Sequence, residues 1–571
     1  MPPCVFSSRH GASKSTAAAM SAHKHHSKAG SYVVFAVTSA MAVIDEKTPE
    51  TYKEAMSSKQ RAKWKAAIEA EIGGCVSRGT WILVKRSELP KGTNIIPVKW
   101  VFKIKTDENG NVAKYKARIT PKGFKQRYGV DYFEVFANTG KYKTLRTMLS
   151  IAARSNMELR QLDVPQAFTQ AVLDESVYME MPEGFEEEGM ACLLKKSLYG
   201  LKQSPRNWNL LVSGFITKTL RFSATVSDPC LFWRKSRTGR IILLFLFVDD
   251  MQVGFDKADE QEWDQDHQQL KKRFDITDLG DSKFMLGMRI TRDRNARTIK
   301  LDQELYVSKA LAKFGLSQCK TAPTPGMQSS SSPVGDREGV AAQPTDLKLY
   351  QEKVGTLLYA AISTRPDIAF AVNKLTQRMQ APTVADAKAC DRVFRYLAGT
   401  SSLGLLFGRN RSASGVSISA YADADWGSDH TDRRSVTGWI AMINGDPVSW
   451  ASKKQRVVSQ SSCEAELYAE VAAINELKWL DGFLQEIGQR SDRDDAPTVY
   501  GDNQSTQELS KNGIKSERTK HIDIKYHFVT DEVTSGKIQL KWIPTTQQLA
   551  DVLTKPLGVN QHTQMIGKFM L

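Results

Sequence analysis

The sequence predicts an α+β protein of several domains, and three observations carry that class. The chain has 571 residues, 41% hydrophobic and 25% charged, which is ordinary for a globular protein and long enough for three or four cores. Strand-like alternation and helical spacing interleave from Pro49 to about Lys320. A stretch rich in Ser and Pro, residues 323–347, then sets this part apart from a second unit in which strands again end in acids.

Residues 1–48 are rich in Ser, Ala and His, lack a sustained period and are expected to be disordered. The apolar stretch 31–43 is too short to span a bilayer and begins too far into the chain for a secretory leader. No membrane association and an intracellular location, cytoplasmic or nuclear, are expected. Residues 49–94 read as a helical lead-in, where Trp64, Ala67, Ile68 and Ile72 fall at helical spacing and make Trp64 a core anchor. Asn109-Gly110 between two alternating runs predicts a tight hairpin. Residues 98–127 hold nine Lys or Arg and two acids, with Trp100, Phe102, Tyr115 and Phe124 interleaved. Lys103, Lys105, Lys116 and Arg118 can then stand on two paired strands and face phosphate. The whole chain carries 79 basic against 63 acidic residues, a net charge of +16, which suits a polyanionic partner. The seven cysteines are scattered, without Cys-x-x-Cys pairs, which argues against a zinc site or a disulfide framework.

The apolar run 241–248 ends in Asp249-Asp250. Two carboxylates beside a buried strand cost desolvation energy unless metal or water satisfies them. Successive strand residues face opposite sides, so both acids serve one site only in a strand-turn-strand hairpin. The plain alternative is an acidic turn. Gln161-Leu162-Asp163 places a third acid in an apolar setting, with Phe168 five residues on. Three such acids from two elements can hold two hard divalent cations about 3.5–4 Å apart, the geometry of in-line displacement at phosphorus.

The second unit repeats the theme. Residues 416–421 alternate like a strand and deliver Asp423 and Asp425, and Asn444-Gly445 closes a hairpin between 435–443 and 447–450. Ser461-x-x-Glu464 has capping-box spacing and starts a helix whose stripe Leu467, Val471, Ile474, Leu477 and Leu480 leaves Glu466 at its edge. Residues 498–501 lead to Asp502, and 540–543 lead on to Asp551. Singly, each acid reads as a cap or turn residue.

The blocks Val98-Lys99-Trp100-Val101-Phe102-Lys103-Ile104-Lys105, Tyr115-Lys116-Ala117-Arg118, Gln161-Leu162-Asp163-Val164, Ser197-Leu198-Tyr199-Gly200-Leu201-Lys202-Gln203-Ser204-Pro205-Arg206 and Phe247-Val248-Asp249-Asp250 follow one another in a familiar order and spacing. In these blocks the chain resembles the reverse transcriptases of copia-type retrotransposons. From about Pro49 to about Leu557 it resembles the C-terminal part of a copia-type Pol polyprotein. The resemblance implies a right-hand reverse transcriptase with fingers, palm and thumb at 95–322, a linker at 323–347 and a helical connection at 348–412. An α/β ribonuclease H-like domain at 413–560 and a tail at 561–571 follow.

The implied activity is RNA-directed DNA synthesis that copies retrotransposon RNA, with a fused ribonuclease H that degrades the RNA of the hybrid. Asp163 and Asp249, supported by Asp250, would hold two Mg2+ ions, and Asp423, Glu466, Asp502 and Asp551 would hold two more, with Mn2+ as the alternative ion. Asp425 would be a turn residue. Lys105, Lys116 and Arg118, with Lys103 beside them, would neutralise the incoming triphosphate. Phe168 would be the steric gate against a 2′-hydroxyl, or else a core aromatic, and Tyr199, Gly200 and Val248 would line the nucleotide pocket. Phe284-Met285-Leu286-Gly287 would grip the primer, and residues 306–314 would form a thumb helix. The implied partners are an RNA template, a DNA primer, an RNA–DNA hybrid and deoxynucleoside triphosphates.

Phe136-Ala137-Asn138-Thr139, Phe168-Thr169-Gln170-Ala171 and Phe247 depart from the family pattern without removing a catalytic group. Protease, integrase and zinc-knuckle features, which precede this part in such elements, are absent, so a Pol fragment or a separated gene copy is expected. Two readings compete: a silent relic that binds nucleic acid, and a structural adaptor using the middle helices. A binding module would need the basic residues and gain nothing from buried carboxylates, which would repel phosphate without metal.

Overall fold

A computed structural model describes residues 48–106, 112–327, 345–410, 415–429, 431–491, 494–507 and 523–571. The expected disordered segment through residue 47, the Asn109-Gly110 turn and most of the 323–347 linker lie outside the described residues. No helix among the described residues is long and apolar enough to cross a membrane.

Helix α1 (Arg61–Ser77) buries Trp64, Ile68 and Cys75 against a hairpin of β1 (Val98–Thr106) and β2 (Val112–Pro121). The Trp64 ring meets Phe102 and Tyr115 edge-on, at 5.2 and 4.8 Å. Alternation along the paired strands sends Trp100, Phe102, Ile104, Ala117 and Ile119 into this core. Val101 faces Arg118, Lys103 faces Lys116 and Lys105 faces Lys114 on the other side. The 49–94 segment is not helical throughout. Trp81–Lys85, aromatic and β-branched, forms a strand paired with Met190–Lys196.

The palm is a six-stranded sheet in which β3 (Glu158–Asp163) and the hairpin of β4 (Ile241–Phe247) and β5 (Asp250–Phe255) lie side by side. One face packs on the helices Ser204–Lys218 and Glu260–Arg273. The other packs on α2 (Tyr142–Arg154), in which every residue from Thr144 to Ala153 is buried. That full burial shows that α2 has neighbours on all sides.

A second sheet joins Phe284–Met285, Met288–Asp293 and Thr298–Asp302 to Leu405–Phe407, so the connection segment is helical only until it ends in a strand. The helix Glu304–Lys313 shares one core with the connection helices Leu347–Ser363 and Val384–Gly399 through Tyr306, Val307, Tyr350, Val354 and Phe394.

The last module is a five-stranded sheet of β6 (Ile418–Ala424), β7 (Val436–Ile443), β8 (Asp446–Lys454), β9 (Thr498–Gly501) and β10 (Gln539–Trp542). Its order is β8-β7-β6-β9-β10, with β6, β9 and β10 parallel. Asn444 and Gly445, at φ 50° and 84°, make the tight turn between β7 and β8. Helix α3 (Ser462–Glu486) crosses the sheet. Ser461 caps it by accepting from Glu464 N, but the Glu464 carboxylate turns to Gln460 N, so the capping box is half made. Residues 561–571 are not a tail. Met565, Ile566, Phe569 and Met570 form an apolar set that is buried, and Gly404 and Leu571 exchange backbone hydrogen bonds of 3.0 and 2.9 Å.

Candidate active sites

The β4–β5 hairpin pairs Phe247 with Asp250 and leaves Val248-Asp249 as a two-residue turn. Val248 sits at φ 58°, a conformation that a β-branched residue adopts only under strain. Two bonds hold it there: Trp208 Nε1 donates to Val248 O at 2.6 Å, and Val164 N donates to Asp249 O at 2.9 Å. Asp163 lies directly across from Asp250 in the β3–β5 pairing. The three acids share one local field. Burial, then Asp249 and Asp163, push the Asp250 carboxyl up to about 7. Burial and Asp249 also raise Asp163, while Lys105, Lys116 and Arg118 pull it down. The charges on the basic face of the β1–β2 hairpin therefore act on Asp163. Burial first, then Arg118 and Lys105, push Lys116 down to about 8, and burial and Arg118 lower Lys103.

Beside the acids stands an aromatic stack. Phe168, on the short helical turn Ala167–Gln170, stacks on Tyr199 at 5.6 Å and 28°. The Arg118 guanidinium lies 4.8 Å from the centre of the same Tyr199 ring. The Tyr199 loop is pressed onto the end of β2: a Cβ on Gly200, at φ 113°, would sit 2.6 Å from Pro121 O. The structure links Arg118, Tyr199 and Phe168 in one stack, sets Lys103, Lys105 and Lys116 on the same hairpin face as Arg118, and leaves Val248 at the turn beside Asp249.

In the last module Asp423 closes β6, Glu466 stands in the first turns of α3 and Asp502 follows β9. Each offers a carboxylate oxygen within 4.8 Å of the others. Glu466 also accepts from Ala424 N at 3.1 Å, which ties α3 to β6. Burial, then Asp423 and Asp502, raise the Glu466 carboxyl well above its usual range. Asp551, on the turn Leu549–Leu553, is pushed up to about 7 by burial and then by Asp423. It is not part of the triad and joins it through Lys555, whose Nζ lies 2.8 Å from Asp551 Oδ1 and 3.4 Å from Asp423 Oδ2. Burial opposes the Lys555 charge, but Asp423 and Asp551 outweigh it and hold the ammonium above its usual range. Asp425 braces the loop after β6 by accepting from Val436 N and the Ser428 hydroxyl.

The triad, Asn503, Trp542 and Lys555 line an open cleft of about 460 Å³. Among the described residues only Asp423, Glu466 and Asp502 bring three ligand oxygens together; both acid sets are carboxylates alone, a donor chemistry that suits Mg2+ or Mn2+ rather than a thiophilic metal. Sequence reading singles out neither Trp208 nor Lys555. The spacing of Lys555 four residues after Asp551 is the one signal that could have found it.

Residues 78–328 match the family "Reverse transcriptase (RNA-dependent DNA polymerase)". The chain is 38% identical over 535 residues to the retrovirus-related Pol polyprotein from transposon TNT 1-94 of Nicotiana tabacum, covering 92% of this chain and 39% of that protein. It is 31% identical over 320 residues to a transposon Ty5-1 protein of Saccharomyces cerevisiae, covering 55% of this chain and 100% of that one. Among solved structures, a foamy viral protease-reverse transcriptase in complex with double-stranded DNA aligns over 85% of this chain and 83% of its own, with 13% identity and a TM-score of 0.44. The chain belongs to the copia-type retrotransposon Pol polyproteins and comprises a reverse transcriptase domain followed by the module built on the five-stranded sheet. It spans about two-fifths of the length of the tobacco relative.

Proposed function

We propose that this chain is an RNA-directed DNA polymerase that also cleaves the RNA strand of an RNA–DNA hybrid, acting inside the cell on retrotransposon RNA. One observation carries the reading: Asp163 and Asp250 face each other beside Asp249 on the palm sheet under the field of a basic hairpin, while Asp423, Glu466 and Asp502 converge on the last module. A nucleic-acid-binding relic or an adaptor has no use for such acids, because without cations they repel phosphate.

At the first cleft Asp163, Asp249 and Asp250 would hold Mg2+, which, when bound, activates the primer 3′-hydroxyl and stabilises the leaving pyrophosphate. Lys105, Lys116 and Arg118 would offset the triphosphate charge. The Phe168 ring, held flat by Tyr199, would close the space that a 2′-hydroxyl needs. At the second cleft Asp423, Glu466 and Asp502 would hold the metal that serves hydrolysis, and Lys555 would keep Asp423 and Asp551 compensated before the ion arrives. The substrates are then deoxynucleoside triphosphates, a DNA primer on an RNA template and the resulting hybrid. Purified chain given a DNA-primed RNA template and Mg2+ should extend the primer and shorten the RNA, and EDTA should stop both. Absence of extension with intact hybrid binding would refute the polymerase reading.

A further inference from the structure

The nucleotide cleft depends on a residue outside the stretch that matches the reverse transcriptase family. Helix α1 precedes residues 78–328, yet its buried Glu71 reaches both walls of the pocket. One carboxylate oxygen accepts from the backbone N–H of Ile119 at 3.3 Å, beside Arg118 on β2. The other accepts from the side-chain amide of Gln166, two residues before Phe168. Gln166 is in the left-handed region at φ 51°, uncommon for a residue other than glycine, so this turn needs outside support. Arg78 NH1 supplies more, donating to Gln166 Oε1 at 2.5 Å. The fit is close: a Cβ on Gly74 of α1 would lie 2.6 Å from that same Oε1.

We propose that Glu71 is a positioning residue that sets sugar specificity, a reading that rests on the polymerase assignment above. Its two oxygens tie the triphosphate wall, through Ile119 and Arg118, to the sugar wall, through Gln166 and Phe168. The Arg118–Tyr199–Phe168 stack is the second link between the same walls. With the carboxylate in place the Phe168 ring stays at one distance from the basic face, and a deoxyribose is accepted while a ribose is not. Loosening the tie lets the gate turn drift, which costs affinity for the correct nucleotide and admits the wrong one. The chemistry predicts which change disrupts the tie and which restores it. A carboxylate accepts from two donors at once; an amide in its place meets the Gln166 amide donor to donor.

The test is single-nucleotide incorporation by the full chain on a primed RNA template, comparing a deoxynucleotide with its ribonucleotide. Glu71→Gln should lower the ratio of the two kcat/KM values about tenfold, the scale of losing one hydrogen bond to a charged group. The loss should fall on KM for the deoxynucleotide, with primer-template affinity unchanged. The double variant Glu71→Gln/Gln166→Glu exchanges amide and carboxylate, keeps a donor facing an acceptor and leaves Arg78 an acceptor, so selectivity should return. Unchanged selectivity in Glu71→Gln overturns the proposal. A loss that the double variant does not restore, or a fall in melting temperature alone, overturns it too. If the unaltered chain fails to extend the primer, the polymerase reading itself falls; extension with indifferent selectivity removes only the role of Glu71.

Discussion

Asp250 shows how a buried acid among other acids costs stability in the protein that carries it. Its carboxyl is pushed up to about 7 by burial, Asp249 and Asp163, from an ordinary value near 3.8 in the unfolded chain. Between those values the native state holds a proton that the unfolded state has released. Stability therefore falls as pH rises through this window, and the full penalty is present above about pH 7. In EDTA, Asp250→Asn should melt higher than the unaltered chain at pH 8 and at nearly the same temperature at pH 4.5, and Mg2+ should narrow the difference at pH 8. Equal melting at both pH values would mean that the carboxyl is not held in this field. Phe168→Ala addresses the other wall. The ring is only partly buried, so the stability cost should stay below the roughly 3–5 kcal/mol of a fully buried Phe, while ribonucleotide incorporation rises relative to deoxynucleotide. Loss of stability with unchanged selectivity would make Phe168 a core residue. Asp163, Asp249 and Asp250 stood out in the sequence because each sits in or ends an apolar run, where a charge needs a reason, whereas Asp423, Glu466, Asp502 and Asp551 were picked out by the family resemblance. Glu71, Gln166 and Lys555 were not, since a Glu inside a helix and a Lys one turn after an Asp read as solvated surface until the chain is folded.

At the scale of elements, the β1–β2 hairpin is a two-faced device, aromatic toward α1 and basic toward the acids. Its contacts to phosphate should release counterions, so affinity for a primed template should fall steeply with salt and vary little with sequence. Arg118, stacked on Tyr199, should behave differently from its neighbours. Arg118→Ala should raise KM for nucleotide by about tenfold, the loss of one charge-assisted contact, and leave template affinity alone. A loss confined to template affinity would place it on the duplex path instead. Alternating runs and turn chemistry made the hairpins readable, as at Asn444-Gly445, and helical spacing located α1 and α3. Pairings between distant segments were not readable. Trp81–Lys85 with Met190–Lys196 and Leu405–Phe407 with Thr298–Asp302 are short edge pairings set by packing rather than by local pattern. Residues 561–571 look like a tail because five apolar side chains in eleven residues carry no period long enough to place them.

For the whole molecule, separation in sequence is not separation in space. The sequence sets the last module apart behind a linker and a helical segment, yet α2 of the palm packs against β8 and contributes to one continuous core with that module. Arg146, buried on α2, donates to Val448 O at 2.7 Å and to Ile362 O and Ser363 O at 2.9 Å each, with Trp450 4.0 Å beneath it. Lys143 pairs with Glu476 at 3.0 Å, and Ser150 donates to Asp446 at 2.7 Å. A fragment of residues 413–571 exposes the faces of β8 and α3 that these groups cover, so it should melt below the full chain, and the full chain should melt in one transition. A fragment as stable as the whole would mean that the shared core contributes nothing. Shared packing and separate chemistry are both required here, because Asp163, Asp249 and Asp250 stand on the palm sheet and Asp423, Glu466 and Asp502 on the last module, with no acid in common. The most direct measurement is therefore primer extension and hybrid cleavage side by side on Asp249→Asn and Asp502→Asn. Asp249→Asn should lose extension by roughly 10²–10³-fold, the cost of one charge-stabilising group, and still cleave the RNA of a hybrid; Asp502→Asn should extend normally and leave that RNA intact. Loss of both activities in either variant, or hybrid cleavage that survives Asp502→Asn, would contradict the assignment of two independent sites on one chain.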